Sequence, residues 1–600
     1  MYKRIRVAAI ALCVGLMVLL GRLPLLAQTS VPGIVAIGIG GAVATVDTEA
    51  TRIGIDILQR GGNAIDAAVA TAAALGVVEP FSAGIGGGGF MLIYQKAENR
   101  VISIDGREEA PAATTVDLFN DPDTGELLPF TPNRISSGLA VGVPGTLLTW
   151  TEALDRYGTL SLSEVLAPAI ALAENGFRAD PTFVSQIRAN QERFAAFTST
   201  RDLYLPDGNL PVVGGIFKNP DQAKTYRLVA DRGLNVFYRG EIGEAIVRTV
   251  QNPPAIENPP FPVLPGRMTM GDLDDYDLHI RTPIRTDYRG YQLYGMSLPS
   301  SGSITGGQVL NLVEGFDLGA IDRPAALNKI IEAERIAFAD RAAFLGDPEF
   351  VDVPLPGLLS EGYADLRREE IGVQALGGRE ARAAAGNPLP FQRDPSPSLT
   401  ETVAATAIGD HEGVSTTHLT VSDRLGNVVS YTLTIEATGG SGIVVPGYGF
   451  ILNNELTDFD PASPHPNSPE PGKRPRSSMA PTIAFAPDGT VLAYGSPGGS
   501  TIITTVLGIT TNLIDFGMSI DQAIAAPRLS QRNGGVTQVD SNFELTDLGQ
   551  ALTALGQVLE PVPEIGAATG IVIAPDGRIT AAAEPNRRGG GAAMVVRSPT

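Results

Sequence analysis

Apolar positions recur at helical spacing through residues 49–59 (EATRIGIDILQ), and Gly61-Gly62 stop the run. Asn63 then stands where a cap belongs, ahead of an alanine-rich helix over residues 64–78. Residues 84–89 (GIGGGG) lead from that helix into a strand, 90–94. A phosphate-binding loop runs from strand to helix and carries Lys with Ser or Thr; this passage does neither, so close backbone packing accounts for it better. From about 145 to 350 the spacing is mostly helical, as in 144–157, 163–175 and 326–344. Residues 252–266 form a proline-rich loop. Residues 386–413 carry Pro388, Pro390, Pro395 and Pro397 with few aliphatic side chains, the composition of an exposed linker.

After residue 413 the period shortens. Strand-like runs follow at 415–422, 427–435, 482–486, 491–494, 570–574 and 579–582, with Pro487-Asp488-Gly489 and Pro575-Asp576-Gly577 as hairpin turns. Helices over 501–516 and 545–555 fall between them. Two β-rich stretches flanked by helices predict stacked sheets between helical layers, an α+β arrangement.

An apolar content of 43% against 18% charged residues marks a globular chain, and 600 residues suit three or four domains or one large layered domain. The first 27 residues stand apart. Lys3, Arg4 and Arg6 precede a 14-residue apolar run, 7–20, and Leu25-Leu26-Ala27 offers a small residue for cleavage. That is the layout of a secretory signal peptide. A retained anchor is the other reading, but the run falls short of the ~20 residues that a bilayer needs. Leu12 is too large for lipoprotein processing at Cys13. Cleavage takes four of the 44 basic residues and none of the 65 acidic ones, so the formal net charge of −21 becomes more negative. Such a surface disfavours nucleic acid and anionic membranes as partners. Cleavage also removes Cys13, the one cysteine, and with it thiol catalysis, disulfides and thiolate metal sites. The mature chain is expected in the periplasm or outside the cell.

The histidines are His279, His411, His418 and His465, without metal-ligand spacing. No metal and no cofactor are expected, and no nucleophile-elbow motif supports a Ser-His-Asp triad. Thr416 offers a different nucleophile. It follows the linker and opens the first strand run, and a cut before it frees an α-amine able to act as general base for its own hydroxyl. With a turn near Arg424-Leu425-Gly426, Thr434 lies opposite within about one residue, where a cross-strand threonine pair orients the nucleophile. On these residues alone, a surface hairpin of strand-favouring threonines fits better.

Six segments decide between the two. GGNAIDAAVA, DGREEAPAAT and VGVPGT come before residue 413; GFILNNELTDF, KRPRSSMAPTI and GSPGGSTIITTV come after it. In this order they resemble the γ-glutamyltransferase (γ-glutamyltranspeptidase) family of N-terminal-nucleophile hydrolases, from about residue 33 to the end. The resemblance implies a four-layer αββα sandwich formed jointly by two chains. It implies a proenzyme that cuts itself between Ser415 and Thr416, giving a large subunit of 28–415 and a small subunit of 416–600 as an obligate heterodimer. By the same resemblance the donor is glutathione or another γ-glutamyl compound, and the acceptor is water, an amino acid or a peptide. Arg107 matches the residue that binds the donor α-carboxylate, a task suited to a forked guanidinium. Ser477 and Ser478 match the serine pair that helps hold it. Gly498 and Gly499 match the oxyanion hole, where backbone N–H groups meet the developing charge. Thr434 matches the hydroxyl that supports the nucleophile. Asp458 and Glu455 match groups around the donor ammonium.

Two positions depart from part of the family. Glu436 stands where some members carry Asn, so three carboxylates face one ammonium unless Glu436 turns partly to solvent. The stretch between Asp458 and Lys473 is short, proline-rich and without Tyr or Trp, which implies a reduced lid, a pocket open to bulky donors such as γ-linked polyglutamate, and easier access for water. A related acylase that removes glutaryl groups is one alternative, although glutaryl lacks the ammonium that these carboxylates suit. A secreted binding protein with a degenerate site is the other.

Overall fold

The computed structural model describes residues 33–378, 380–392 and 415–596. The expected signal peptide, most of the 386–413 linker and His411 lie outside them.

Local chemistry sets the first helices as the sequence predicts. Asp47 caps Thr48–Gln59. Asn63 accepts from the Ile65 and Asp66 N–H groups while Asp66 accepts from the Asn63 N–H, a reciprocal cap on Ala64–Val78. Every residue of Ala64–Val78 is buried. Its small side chains let it lie close against strands Thr417–Asp423 and Val428–Thr434.

Those strands sit in the middle of a seven-stranded sheet, the first sheet. Its order is Ala592–Val595, Gly41–Thr45, Thr417–Asp423, Val428–Thr434, Gly88–Gln95, Arg100–Gly106, His279–Arg281. A second seven-stranded sheet runs Val35–Gly38, Ile579–Ala583, Thr569–Ile573, Val491–Gly495, Thr482–Phe485, Tyr291–Gly295, Ile284–Tyr288. Neighbours in both are antiparallel. Period-two alternation gives the first sheet two different faces. Leu419, Val421, Tyr431 and Leu433 join the core under Ala64–Val78. His418, Thr420, Ser430 and Thr432 turn toward the other sheet. Helices Gly302–Glu314, Thr501–Ile514 and Ile520–Ala525 cover that sheet's far side. The result is helix, sheet, sheet, helix.

The stretch that reads as mostly helical also contains a two-stranded pair, Phe177–Arg178 with Ile216–Phe217, and the strands His279–Arg281, Ile284–Tyr288 and Tyr291–Gly295, which close one edge of each seven-stranded sheet. In Ile284–Tyr288, Ile284, Thr286 and Tyr288 are buried while Arg285 and Asp287 are exposed. The glycine run packs backbone against backbone, since a Cβ on Gly87 would collide with the carbonyl of Thr434.

Candidate active site

Thr417 pairs with Leu433, so the register carries Thr416, just before its strand, opposite Thr434. The two hydroxyl oxygens are 3.1 Å apart. The Glu436 N–H donates to Thr434 Oγ1 at 2.9 Å, fixing that hydroxyl. Thr416 is buried with φ +153°, a value that L residues rarely adopt. Strain of this kind, about 1–3 kcal/mol, persists where the surroundings impose it. Here the surroundings grip the chain firmly. Ser415 Oγ donates to Phe81 O at 2.9 Å and lies 2.9 Å from Ser82 Oγ. Arg588 donates to Thr416 O and to Ser82 Oγ, each at 2.6 Å.

One small cavity brings together every residue singled out above except Gly498. Its volume is about 20 Å³, room for one water molecule. Ser415 forms part of its wall. Gly499 lines it, while Gly498 stands one residue back; their φ values are +135° at Gly498 and +55° at Gly499. A Cβ on Gly498 would lie 2.5 Å from Thr501 Oγ1. Both glycines lead into helix Thr501–Ile514, whose positive N-terminal end faces the same region.

Arg107 is a buried residue, not a surface charge, at 1% exposure. It pairs with Glu455 and, at 2.5 Å, with Asp458, and its Nε donates to Pro475 O at 3.1 Å. The groups expected to hold opposite ends of a donor therefore hold each other. Burial raises the Glu455 carboxyl well above its usual range, with the Arg107 charge working against that. Glu108, which the sequence reading passed over, is fully buried beside Arg107, and burial pushes its carboxyl to about 7. Glu436 does not turn to solvent. It is 3% exposed and accepts from Asn454 Nδ2 at 2.5 Å. Burial draws the nearby Arg193 guanidinium down to about 10, and the Glu436 charge opposes that shift.

The serine pair is anchored from below. Arg341 donates to Ser478 Oγ at 2.7 Å and to Ser301 Oγ at 2.9 Å, and Ser477 Oγ accepts from the Met479 N–H at 3.2 Å. Sequence reasoning missed Arg341, Ser82 and Arg588. None of them belongs to the six segments quoted above, and only the folded chain brings Arg341 to Ser478, Ser82 to Ser415 and Arg588 to Thr416. His418 sits between the sheets, its Nδ1 2.8 Å from Thr432 Oγ1, and burial pulls it down to about 3, so it is neutral. Among the described residues no group of three or more His, Cys, Asp or Glu is placed to hold a metal.

The stretch after Asp458 lies along a second cavity of about 260 Å³, and Asp458 belongs to the walls of both. Asn467 ties that stretch down, donating to Asp458 O at 2.6 Å and accepting from the Arg476 N–H at 2.7 Å.

The gamma-glutamyltranspeptidase family model matches residues 50–594. A glutathione hydrolase proenzyme of Bacillus subtilis (strain 168) is 43% identical over 82% of this chain and 81% of its own length. One from Escherichia coli (strain K12) is 37% identical over 91% and 90%. The crystal structure of a cephalosporin acylase from Bacillus halodurans superposes with a TM-score of 0.81 at 30% identity, covering 96% of this chain and 99% of that one. Sheets and sequence agree: the chain belongs to the gamma-glutamyltranspeptidase family.

Proposed function

We propose that this protein is an exported proenzyme that cuts itself between Ser415 and Thr416 and then transfers γ-glutamyl groups from glutathione or a related donor. The observation that carries the reading is the Thr416–Thr434 hydroxyl pair, 3.1 Å apart, in one cavity with Arg107, Glu455 and Asp458. The strained Thr416 backbone and the clamps on Ser415 favour attack on the preceding peptide. Release of Ser415 from the cavity wall then makes room for a donor.

In the mature site Thr416 Oγ1 attacks the γ-amide carbonyl carbon and its proton passes to the Thr416 α-amine. The carbonyl oxygen becomes an oxyanion beside the Gly498 and Gly499 N–H groups and the helix end behind them. The C–N bond breaks, the amine leaves with the proton, and a γ-glutamyl ester remains. Water or a second amine adds to the ester carbon, gives up a proton, and Thr416 Oγ1 leaves and regains one. The donor is a zwitterion. Its α-carboxylate takes Arg107, with Ser477 and Ser478, while its ammonium takes Glu455, Asp458 and Glu436. Binding therefore exchanges internal ion pairs for two external ones and leaves no buried charge alone.

Thr416→Ala tests this directly. The expected result is one uncut chain on a denaturing gel and γ-glutamyl anilide turnover lower by ~10⁴-fold or more. Two chains with full activity would falsify it. N-terminal sequencing of the wild-type chains reports both the export cut and the internal cut. Likeness to a cephalosporin acylase favours a second reading, removal of glutaryl groups. The buried Glu436 and Glu455 and the half-buried Asp458 around the ammonium position weigh against it, and faster turnover of a glutaryl than a γ-glutamyl anilide would establish it.

A further inference from the structure

The cavity of about 260 Å³ next to the nucleophile pocket differs from it in charge. Arg134 lines it at 5% exposure. The Arg134 Nε has no hydrogen-bond partner, and among the described residues its guanidinium makes no ion pair. It rests only on the rings of Phe119 and Phe130, 6.0 and 5.1 Å from their centroids. Burial alone lowers its pKa, with no carboxylate to oppose the shift. Arg341, Arg382, Arg476 and Arg532 line the same cavity. The acidic residues there are Asp458, already paired with Arg107, and Asp460. His465 adds no charge, since burial lowers it to about 4. Arg134 thus stands in the cavity wall as a buried guanidinium without an ion pair among the described residues, in a protein of net charge −21. A buried cation without a partner destabilises a fold unless something else needs it.

The cavity is coupled to the chemistry at three points. Asp458 is a shared wall. Arg341 holds Ser478, and Arg532 donates at 2.6 Å to Ser500 Oγ, adjacent to Gly499. The volume suits an amino acid or short peptide better than a lone ion. We propose that this cavity is the subsite for the amine partner of the reaction, and that Arg134 recognises a carboxylate on the leaving or accepting amine. The inference rests on the γ-glutamyl-transfer reading for its place in the reaction, but the anion site is testable without it.

Wild-type protein is titrated calorimetrically with glycylglycine and with glycylglycinamide, no donor present. The dipeptide is expected to bind about 10- to 100-fold more tightly than the amide, the range for one charge-assisted contact. Arg134→Met is expected to bring the two within about threefold, and Arg134→Lys to restore part of the gap. With γ-glutamyl anilide as donor, the ratio of acceptor kcat/KM values should collapse in the same way. Equal binding of dipeptide and amide by wild type, which needs no variant to fold, overturns the proposal; so does an undiminished preference in Arg134→Met. Carboxylate preference without γ-glutamyl transfer keeps the anion site and removes the glutamyl reading. Transfer without preference does the reverse.

Discussion

Two cavities meet at Asp458 and treat charge in opposite ways. In the smaller one Arg107 is neutralised by Glu455 and Asp458, and the space is filled down to about 20 Å³. In the larger one Arg134 is buried without an ion pair among the described residues, beside about 260 Å³ of space. A pocket that satisfies itself admits only a ligand able to replace both halves of what it displaces. A pocket with one buried, unpaired guanidinium selects on a single anionic group. On the γ-glutamyl-transfer reading proposed above, that difference predicts tight recognition of the glutamyl end and looser recognition of the amine end.

The largest expected effect breaks the first cavity. Arg107→Met leaves Glu455 and Asp458 buried without their cation and should lower unfolding free energy by ~3–5 kcal/mol. Arg134→Met removes no ion pair and keeps a side chain between the two phenylalanine rings, so its loss should stay within ~1 kcal/mol. Denaturant midpoints of the two variants compare them, and equal losses would erase the contrast. A smaller effect concerns geometry. Gly498→Ala places a Cβ against Thr501 Oγ1 at a φ of +135°. It should lower kcat by ~10²-fold with donor KM little changed, as steady-state kinetics would report. The smallest is a slope. Burial raises Glu108 to about 7 in the folded chain, from about 4.5 when unfolded. The protonated group's contribution is therefore complete below pH 4.5 and is lost as pH rises through 7. Between pH 5 and pH 8, Glu108→Gln should lose less Tm than wild type. Arg134→Met should run parallel to wild type, because arginine does not titrate there.

Much of this was readable from residues in order. Thr416 and Thr434 could be set opposite each other because strand period and turn length fix register. The Asn63 cap and the buried alanine helix follow from short-range rules. The sheet edges were harder. Ile284–Tyr288 alternates correctly, but it is five residues long, follows Pro283 and lies in a stretch whose spacing is otherwise mostly helical. Least legible was how charges settle. DGRE marks Arg107, yet nothing local says that residues about 350 positions away neutralise it, or that Glu108 beside it is buried. Arg134 carries no signal at all, because a lone arginine becomes informative only when the fold denies it a partner.

The strand order has a mechanical consequence. Thr417–Asp423 and Val428–Thr434 lie between Gly41–Thr45 on one side and Gly88–Gln95 on the other. In the second sheet, four strands from after residue 416 are clasped by Val35–Gly38 and Tyr291–Gly295. A cut at Ser415 therefore severs the chain without creating two bodies that can part. The fragments are laced together like the fingers of folded hands, and pulling them apart means tearing both sheets. The nicked protein should melt in a single transition, and mixing separately made halves should not rebuild it.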